Sequence, residues 1–373
     1  MKKRIFIVLL TILFACAGLY LTIDQRKKTF VTSDVSRVLS EDSDSNNYKR
    51  ALHPRQFSFP KDLGPHNDFQ TEWWYFTGNL HTSTERLFGY QLTFFRRAIS
   101  DKPASGQSNW RSNQLYMAHF AVSDINQNSF LSFERFSRGS MGLAGANGSP
   151  FRVWLEDWEV TEVSSNSWML KARADGVTLH ISLNPLKPMI LNGKQGLSQK
   201  GPEAGNASYY YSNTRIETQG HLSLAGQTFS VTGNSWLDRE WSTSALSQDQ
   251  IGWDWFSIQL DDLNDIMLFQ IRYKDGGVSR FSSGSFIDYK GIVSHLNLDQ
   301  FKIDVLDYWQ SPISRKRYPS AWKIQIPSKQ LSLIVTPMMN DQEHHHSFSY
   351  WEGAVKVNGP GVSGVGYVEM TGY

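Results

Sequence analysis

Cysteine is almost missing from this chain: among 373 residues only Cys16 is a cysteine, and it lies in the N-terminal apolar segment. An intramolecular disulfide is therefore excluded, and so is a metal site built from several thiolates. An excess of one charge is also missing, because 37 Lys and Arg stand against 35 Asp and Glu. The basic residues are scattered among the acids without forming a stripe, so nucleic acid is not an expected partner.

Helical periodicity is scarce after residue 57, whereas short strand signals recur. Residues 168–174 and 177–183 flank Asp175-Gly176, a dipeptide typical of tight hairpin turns. The 13 Trp, 15 Tyr and 22 Phe can fill a large core, and the chain length indicates about two domains. Many short strands with frequent turns predict an all-β barrel or sandwich architecture.

Residues 1–23 are typical of a membrane-targeting segment rather than of a folded domain. Three basic residues precede an apolar run at positions 5–23, and two interpretations of this run stay open. It is either an uncleaved signal anchor, just long enough to span a bilayer, or a lipoprotein signal whose lipobox is Leu-Phe-Ala-Cys at 13–16. Both predict a membrane-anchored protein that faces the periplasm. Residues 24–56 are polar and are expected to form a tether.

The remaining chain contains an internal repeat. Residues 74–80 and 255–260 share an aromatic pattern, and a polar turn and a second apolar strand follow each of them. Further along both halves, a Tyr precedes a Thr-Gly pair at the same separation. Because the two matches occur in the same order, we interpret them as a duplication. This predicts two similar β domains, at residues 57–238 and 239–373.

Candidate functional residues concentrate in four segments that are dense in Trp, carboxylates and Gly. A buried Trp beside charged side chains requires an explanation, because an unpaired buried charge is costly. In one interpretation, Asp238, Arg239 and Glu240 form an ion-pair network at the domain junction. In the other, aromatic walls and a few acids form a ligand cavity, where a dry acid with a raised pKa could donate a proton. The four segments are 65–76, 233–242, 252–256 and 350–355.

Other motifs favour neither a metal nor a cofactor. Among three consecutive histidines, only His344 and His346 would share one face of a strand, and no third metal ligand is evident. The Gly-rich stretch 139–148 lacks the strand–turn–helix setting and the lysine of a phosphate-binding loop. The Gly-x-Ser-x-Gly elbow of serine hydrolases is also missing.

The same segments resemble the AttH/carotenoid 1,2-hydratase-like family, whose bacterial members are often labelled predicted secreted hydrolases. The resemblance extends over residues 57–373. It implies two tandem lipocalin-like (calycin-type) β-barrels, a type of domain that can enclose a ligand. It also implies, from many relatives, an association with ABC-type export machinery. Its ordered blocks are 72–78, 236–241, 252–256, 350–353 and 366–373.

The resemblance further implies a cofactor-free reaction. Carotenoid hydratases of the family add water across a terminal isoprenoid double bond: an acid protonates the alkene, and aromatic faces stabilise the cation. Where the family pattern has a His two residues before the junction Trp, this chain has Arg239, a poor proton donor. The nearby acids are then Asp238, Glu240 and Asp254. The fold transfers more securely than the reaction.

The predicted function is the binding of a lipid or isoprenoid-like ligand outside the cytoplasm, and hydratase or isomerase chemistry stays open. The alternative is a non-catalytic accessory component of an ABC-type export system. In the enzymatic version, the site lies at the domain junction, Asp238 or Glu240 donates the proton and Arg239 keeps the other carboxylate ionised. Asp254 is the third candidate acid. The predicted ligand-binding residues are Glu72, Trp74, Arg239, Trp241, Trp253, Trp255 and Trp351.

Overall fold

The computed structural model describes residues 47–102, 108, 110–244, 246–247 and 249–373. The predicted targeting segment 1–23 and most of the predicted tether lie outside these residues. Within them, no helix is long and apolar enough to cross a bilayer. The short 3-10 helices of the described part are Lys61–Leu63, Ile125–Gln127, Leu298–Gln300 and Pro327–Lys329.

The first of two antiparallel sheets curls into a barrel-like shape. Its order is β4-β3-β2-β1-β13-β12-β9-β8-β7-β6-β5, and β10 and β11 pair with β12. The two edge strands of this order, β4 and β5, are consecutive in the chain. The sheet curls so that its two edges come near each other and it nearly closes into a barrel. Its strands are β1 (Thr71–His81), β2 (Leu87–Ala98), β3 (Gln114–Asp124), β4 (Ser129–Arg138), β5 (Ala144–Gly148), β6 (Phe151–Leu155), β7 (Trp158–Ser164), β8 (Ser167–Ala174), β9 (Val177–Pro185), β10 (Ile190–Leu191), β11 (Leu197–Gln199), β12 (Ala207–Leu224) and β13 (Gln227–Ser244).

The second sheet repeats this plan with fewer strands. Its order is β17-β16-β15-β14-β23-β22-β20-β19-β18, and β21 pairs with β22. The first strand of each sheet pairs with its last strand, β1 with β13 and β14 with β23. Its strands are β14 (Gln250–Leu260), β15 (Asp265–Tyr273), β16 (Ser283–Ile287), β17 (Val293–Asn297), β18 (Lys302–Gln310), β19 (Arg317–Ile326), β20 (Leu331–Pro337), β21 (Glu343–His345), β22 (Ser349–Gly359) and β23 (Val362–Met370).

This topology confirms the all-β prediction. The two segments that share an aromatic pattern lie in β1 and β14, which are the equivalent opening strands of the two sheets. The boundary predicted between residues 238 and 239 falls inside β13, which belongs to the first sheet along its whole length. The change of sheet comes after Ser244, and the second sheet begins at Gln250.

The C-terminal end of the predicted tether is part of the fold. Ala51 is buried, the backbone carbonyl of His53 accepts a hydrogen bond from the Tyr209 hydroxyl at 2.8 Å, and Arg55 pairs with Asp62 at 2.9 Å. The described residues up to 56 therefore pack on the first barrel. Polar composition alone did not show this, because the contact with Tyr209 comes from β12, far along the chain.

Side chains on alternate residues of a strand point to opposite faces, and this sorts the molecule into three apolar clusters. One cluster fills the first barrel and contains Trp74 and Phe76 of β1. A second fills the other barrel. The third lies between the barrels and includes Tyr75 of β1 and Trp255 of β14. Side chains occupy both barrel interiors.

Candidate functional site

A cavity of about 90 Å³ lies between the outer faces of the two barrels. The first sheet contributes side chains from β1, β2, β3, β12 and β13, and the second from β14, β15, β22 and β23. These are the opening and closing strands of the two sheets and their immediate neighbours, with β3 of the first sheet in addition. The duplicated fold thus forms a site where its two equivalent surfaces meet.

Strand alternation decides which residues face this cavity. On the outer face of the first sheet, Tyr75 lies opposite Asp238 and Trp73 lies opposite Glu240. On the outer face of the second sheet, Trp255 lies opposite Glu369, which in turn lies opposite Glu352. All of these side chains line the cavity.

Only some of the residues predicted from the sequence lie in this site. Asp238, Glu240, Trp253 and Trp255 line the cavity. The others point into the barrels. Glu72, Trp74, Arg239 and Trp241 lie inside the first barrel, Trp351 belongs to the core of the second, and Asp254 bonds to Arg272 at 3.3 Å and to Tyr373 at 2.8 Å.

The predicted pairing of Arg239 with Asp238 and Glu240 is wrong. Arg239 points into the barrel, where it binds the Glu72 carboxylate and donates to the carbonyl of Gly64 at 2.6 Å. Its guanidinium also lies 3.9 Å from the centre of the Trp74 ring. Residues 238 and 240 are on the opposite face of β13. Arg239 therefore forms neither the structural ion-pair network nor the ion pair of the enzymatic hypothesis with these two acids.

Glu72 is a fully compensated buried charge. Arg96 and Arg239 each bind one of its oxygens, and the backbone N–H of His66 donates to it at 3.0 Å. Burial by itself would raise the pKa of Glu72, but the two guanidinium groups outweigh it and hold the pKa far below the usual range. Glu72 therefore stays ionised as a structural carboxylate of the first barrel.

Asp238 is a cavity acid whose neighbours are neutral hydrogen-bond donors. Ser212, Tyr210 and Trp236 donate to its two oxygens at 2.5, 2.6 and 2.7 Å. Burial raises the pKa of Asp238 to about 7, although these three donors favour the ionised form. Trp255 donates to the Tyr210 hydroxyl at 3.0 Å, so one hydrogen-bonded row joins the second sheet to this acid. The group is poised to gain or lose a proton near neutral pH.

Glu240 has a cation beside it. Lys200 lies 3.2 Å from its carboxylate, and the Ser208 hydroxyl also donates to it. The Lys200 ammonium lies 3.9 Å from the centre of the Phe269 ring, a distance at which an aromatic face attracts a cation. The first-sheet wall therefore presents one ion pair next to an acid that has no cation beside it.

Two acids on the second sheet were not among the predicted site residues. Glu352 and Glu369 are opposite each other on β22 and β23. Burial raises the pKa of Glu369 to about 8, although its side chain is partly accessible from the cavity. Burial, reinforced by the neighbouring Glu369, raises the pKa of Glu352 well above its ordinary value. Both acids lie in sequence blocks that carried the family resemblance. The sequence did not show that they lie opposite each other, because this depends on the register between β22 and β23.

Several buried polar atoms at this end of the cavity have no hydrogen-bond partner within the described part of the chain. They are both carboxyl oxygens of Glu352, the hydroxyl of Tyr75 and the side-chain oxygen of Gln91. The Tyr75 and Tyr350 hydroxyls lie near Glu352 but outside hydrogen-bonding geometry to it. Unsatisfied buried polar atoms are rare in native proteins, so a cluster of them on a cavity wall indicates a surface that meets a ligand or water.

His119 is a further residue of the site that was not predicted. Its Nδ1 lies 2.7 Å from the Tyr350 hydroxyl, and its Nε2 lies 3.0 Å from a Glu134 oxygen. His344, one of the three consecutive histidines, stacks on the Tyr350 ring at 4.5 Å. Across the described residues, no group of three or more His, Cys, Asp or Glu is arranged to hold a metal ion.

Aromatic rings form the apolar part of the cavity. Trp255 meets Tyr75 edge to face at 5.2 Å across the domain junction. Trp73, Phe95 and Trp253 line the same space and are only partly buried. The site therefore combines an aromatic wall, one ion pair and carboxylic acids whose pKa values are raised. This arrangement can hold an apolar molecule and exchange protons with it.

The comparisons with known proteins agree on the fold. The crystal structure of a candidate AttH from Nitrosomonas europaea is 34% identical, with a TM-score of 0.78 over 87% of this chain and 99% of that one. Kievitone hydratase from Nectria haematococca is 15% identical, with a TM-score of 0.65 over 89% and 98%. CghA is 12% identical, with a TM-score of 0.53 over 89% and 97%. The last two show a shared fold alone.

No curated protein sequence matches the chain. A family model described as AttH-like, in contrast, matches residues 50–373, which is most of the chain. Together with the 34% identical structure, this match confirms the predicted resemblance and the two tandem lipocalin-like barrels. The chain belongs to the AttH-like family.

Proposed function

We propose that this protein binds an apolar, isoprenoid-like molecule in the cavity between its barrels and hydrates or isomerises a double bond of that molecule by acid–base catalysis. The observation that carries the proposal is the presence of protonatable acids beside an aromatic wall: burial raises the pKa of Asp238 to about 7 and that of Glu369 to about 8. Kievitone hydratase, a protein of the same fold, is named for a hydration.

Glu352 is the proton donor in this proposal. Its raised pKa keeps it protonated at neutral pH, and no hydrogen-bond acceptor among the described residues competes for its proton. The O–H bond of Glu352 breaks as a C–H bond forms on the alkene, and the positive charge passes to the more substituted carbon. The faces of Trp253 and Trp255 lower the energy of that cation.

Asp238 is the base. Three hydrogen-bond donors stabilise its carboxylate form, and its pKa of about 7 leaves a large ionised fraction at neutral pH. Water forms the C–O bond and gives one proton to Asp238, which completes hydration. In isomerisation, Asp238 removes a proton from a carbon next to the cation instead. The sequence-based hypothesis used Asp238 or Glu240 as the donor, and the three hydrogen-bond donors that stabilise the Asp238 carboxylate favour its role as the base instead.

The cavity volume limits what can enter. About 90 Å³ is less than the roughly 150 Å³ of an engineered cavity that takes up benzene. Such a space excludes a whole long-chain molecule, so only the end group of an isoprenoid would enter it, and the rest of the substrate would extend past the partly exposed lining residues Trp73 and Phe95. A carotenoid that enters by its terminal double bond is one substrate of this kind.

Isotope incorporation tests the proposal whichever product forms. The purified protein is incubated with alkenes that carry a terminal isoprenoid double bond, lycopene among them, in D₂O and in ¹⁸O-labelled water. Hydration adds both labels and isomerisation adds deuterium alone. Glu352→Gln and Asp238→Asn should each lower incorporation by about 100-fold or more. Asp254→Asn is the matched control, because Asp254 lies on the other face of β14, and its folded fraction should keep the activity.

Mass spectrometry of an organic extract of the purified protein tests binding separately. A co-purified apolar compound supports the binding function even if no alkene reacts. If no compound binds and none reacts, the proposal is wrong, and the accessory role in an export system predicted from the sequence becomes the better hypothesis. Recovery of a permease in a pull-down would then test that role.

We also propose that the two barrels lie outside the cytoplasm and are tethered to a membrane. Support comes from the basic residues and the apolar run within residues 1–23. A fusion to a reporter that is active only outside the cytoplasm tests the location, and an inactive reporter would reject it. Cys16→Ser separates the two interpretations of the anchor, because only a lipoprotein would lose its lipid.

A further inference from the structure

We propose that Glu134, His119 and Tyr350 form a proton relay that connects the cavity between the barrels to solvent and resupplies the proton of Glu352. The relay rests on the proposed function for its purpose, because a donor that has protonated an alkene must be reprotonated before the next turnover. Its existence can be tested without any substrate.

The relay is a continuous row of titratable groups that crosses the domain junction. His119 on β3 and Glu134 on β4 are directly opposite each other in the first sheet, and Tyr350 is on β22 of the second. His119 Nε2 lies 3.0 Å from Glu134, and its Nδ1 lies 2.7 Å from the Tyr350 hydroxyl. Gln91 donates to the same hydroxyl at 3.2 Å and holds it in place.

The two ends of the row open to different spaces. Tyr350 lines the inner cavity beside Glu352. Glu134, together with Arg135, Asp157 and His346, lines a separate polar cleft of about 690 Å³ that opens to solvent. His119 is fully buried between them. A buried acid at one end and a solvent-facing acid at the other are what a proton path requires.

The contacts of His119 favour a role in proton transfer over a purely structural role. Both of its ring nitrogens bond to titratable side chains and neither bonds to the backbone. His344 packs flat against Tyr350, and its ring nitrogens have no partner within the described residues. Burial, with the neighbouring histidines, holds the pKa of His344 well below its ordinary value. His344 therefore packs against the relay residue Tyr350 but does not take up the proton that the relay transfers.

Each transfer along the row moves one proton from one group to the next. Glu134 takes a proton from solvent and passes it to His119 Nε2. His119 passes the proton on its Nδ1 to the Tyr350 oxygen, and Tyr350 passes its own proton through one water molecule in the inner cavity to the ionised Glu352. His119 is then left with its proton on Nε2, and it regains the Nδ1–H form by a turn of its ring before the next transfer. The net change is one proton lost from solvent and one gained by Glu352. No oxidant, metal or cofactor takes part.

Hydrogen–deuterium exchange of the Glu352 carboxyl group tests the relay directly. Protonated protein at neutral pH is mixed rapidly with D₂O, and the shift of the carboxylic C=O infrared band is followed in time. The band is assigned by its loss in Glu352→Gln. Tyr350→Phe, which keeps the ring but removes the hydroxyl, should slow the exchange about tenfold or more, since positioned proton transfer contributes at least that much. His119→Gln should slow it similarly.

Tyr75→Phe is the matched control. It also removes a hydroxyl near Glu352, but Tyr75 is not in the row, so the exchange rate should stay at the wild-type value. In His119→Gly, added imidazole should restore fast exchange, which a structural role of His119 does not predict. Unchanged exchange in Tyr350→Phe would reject the relay. Slowed exchange without alkene turnover would retain the relay and reject only the hydratase function.

Discussion

Two regions of this protein bury carboxylates to the same degree and treat them in opposite ways. Inside the first barrel, Glu72 binds Arg96 and Arg239, and both guanidinium groups are completely buried with it. Between the barrels, Glu352 has no cation beside it, and its oxygens have no partner within the described residues. The pKa of Glu72 is far below the usual range and that of Glu352 is well above it.

This comparison shows that burial alone does not define a functional acid. Desolvation raises the pKa of both groups, and only the charges around them decide the outcome. A buried carboxylate that binds two arginines stays ionised and stabilises the barrel. A buried carboxylic acid without a cation keeps a proton that it can give to a bound molecule.

The largest expected effect is on stability, from Glu72→Gln. Both arginines would stay buried without their counter-charge, and breaking a buried ion pair by removing one partner costs about 3–5 kcal/mol. Urea unfolding followed by tryptophan fluorescence measures the loss. Glu352→Gln is the matched control on the other side of the comparison and should cost much less, because it replaces one neutral buried group by another. Equal losses of unfolding free energy in Glu72→Gln and Glu352→Gln would contradict the contrast between the two buried carboxylates.

The next effect is on activity, from Asp238→Asn. We expect turnover to fall by about 100-fold or more, since a positioned acid or base contributes about that factor. The unfolding free energy should change far less than in Glu72→Gln, because Asp238 pairs with no cation. Isotope incorporation and thermal melting of the same preparation measure the two quantities. An early melting variant with full activity would identify Asp238 as structural.

The two regions should also respond to pH in opposite directions. The pKa values of Asp238, raised to about 7, and Glu369, raised to about 8, exceed their unfolded values of 3.8 and 4.5. Their stabilising contribution is therefore complete at acidic pH and is lost as the pH rises toward 7 and 8. The low pKa of Glu72 gives the reverse: its contribution is present above its unfolded pKa and is lost on acidification.

Urea unfolding midpoints measured across the pH range separate these contributions. Asp238→Asn and Glu369→Gln should each reduce the decline in stability between mildly acidic and mildly alkaline pH. Glu72→Gln should leave that decline intact and reduce the loss at low pH. A decline that persists unchanged in the Asp238→Asn, Glu369→Gln double variant would show that the cavity acids do not titrate with raised pKa values.

The smallest expected effect is from Tyr75→Phe. The Tyr75 hydroxyl is buried without a hydrogen-bond partner among the described residues, so its removal should change the unfolding free energy by about 1 kcal/mol or less, with either sign. If a ligand or water bonds to this hydroxyl, binding of the co-purified compound should weaken more than stability. Isothermal titration measures the former and thermal melting the latter.

Part of the functional site could be predicted from the sequence. The prediction did not take into account that side chains alternate between the two faces of a strand. The segment 233–242 is one of the four candidate segments, and its acids Asp238 and Glu240 line the cavity. Arg239 was assigned to the same site although it lies between them. Because neighbouring residues in a strand point to opposite faces, the sequence itself already separated Arg239 from the two acids.

By itself, the sequence determined the all-β fold and its duplication, because alternation, turn dipeptides and repeated aromatic patterns are local properties of a chain. Only the tertiary structure decided which acids share the cavity between the barrels. Glu352 reaches Glu369 through the register of β22 and β23, and His119 reaches Tyr350 from the other domain. Register and domain docking depend on how whole faces pack, and no single segment encodes them.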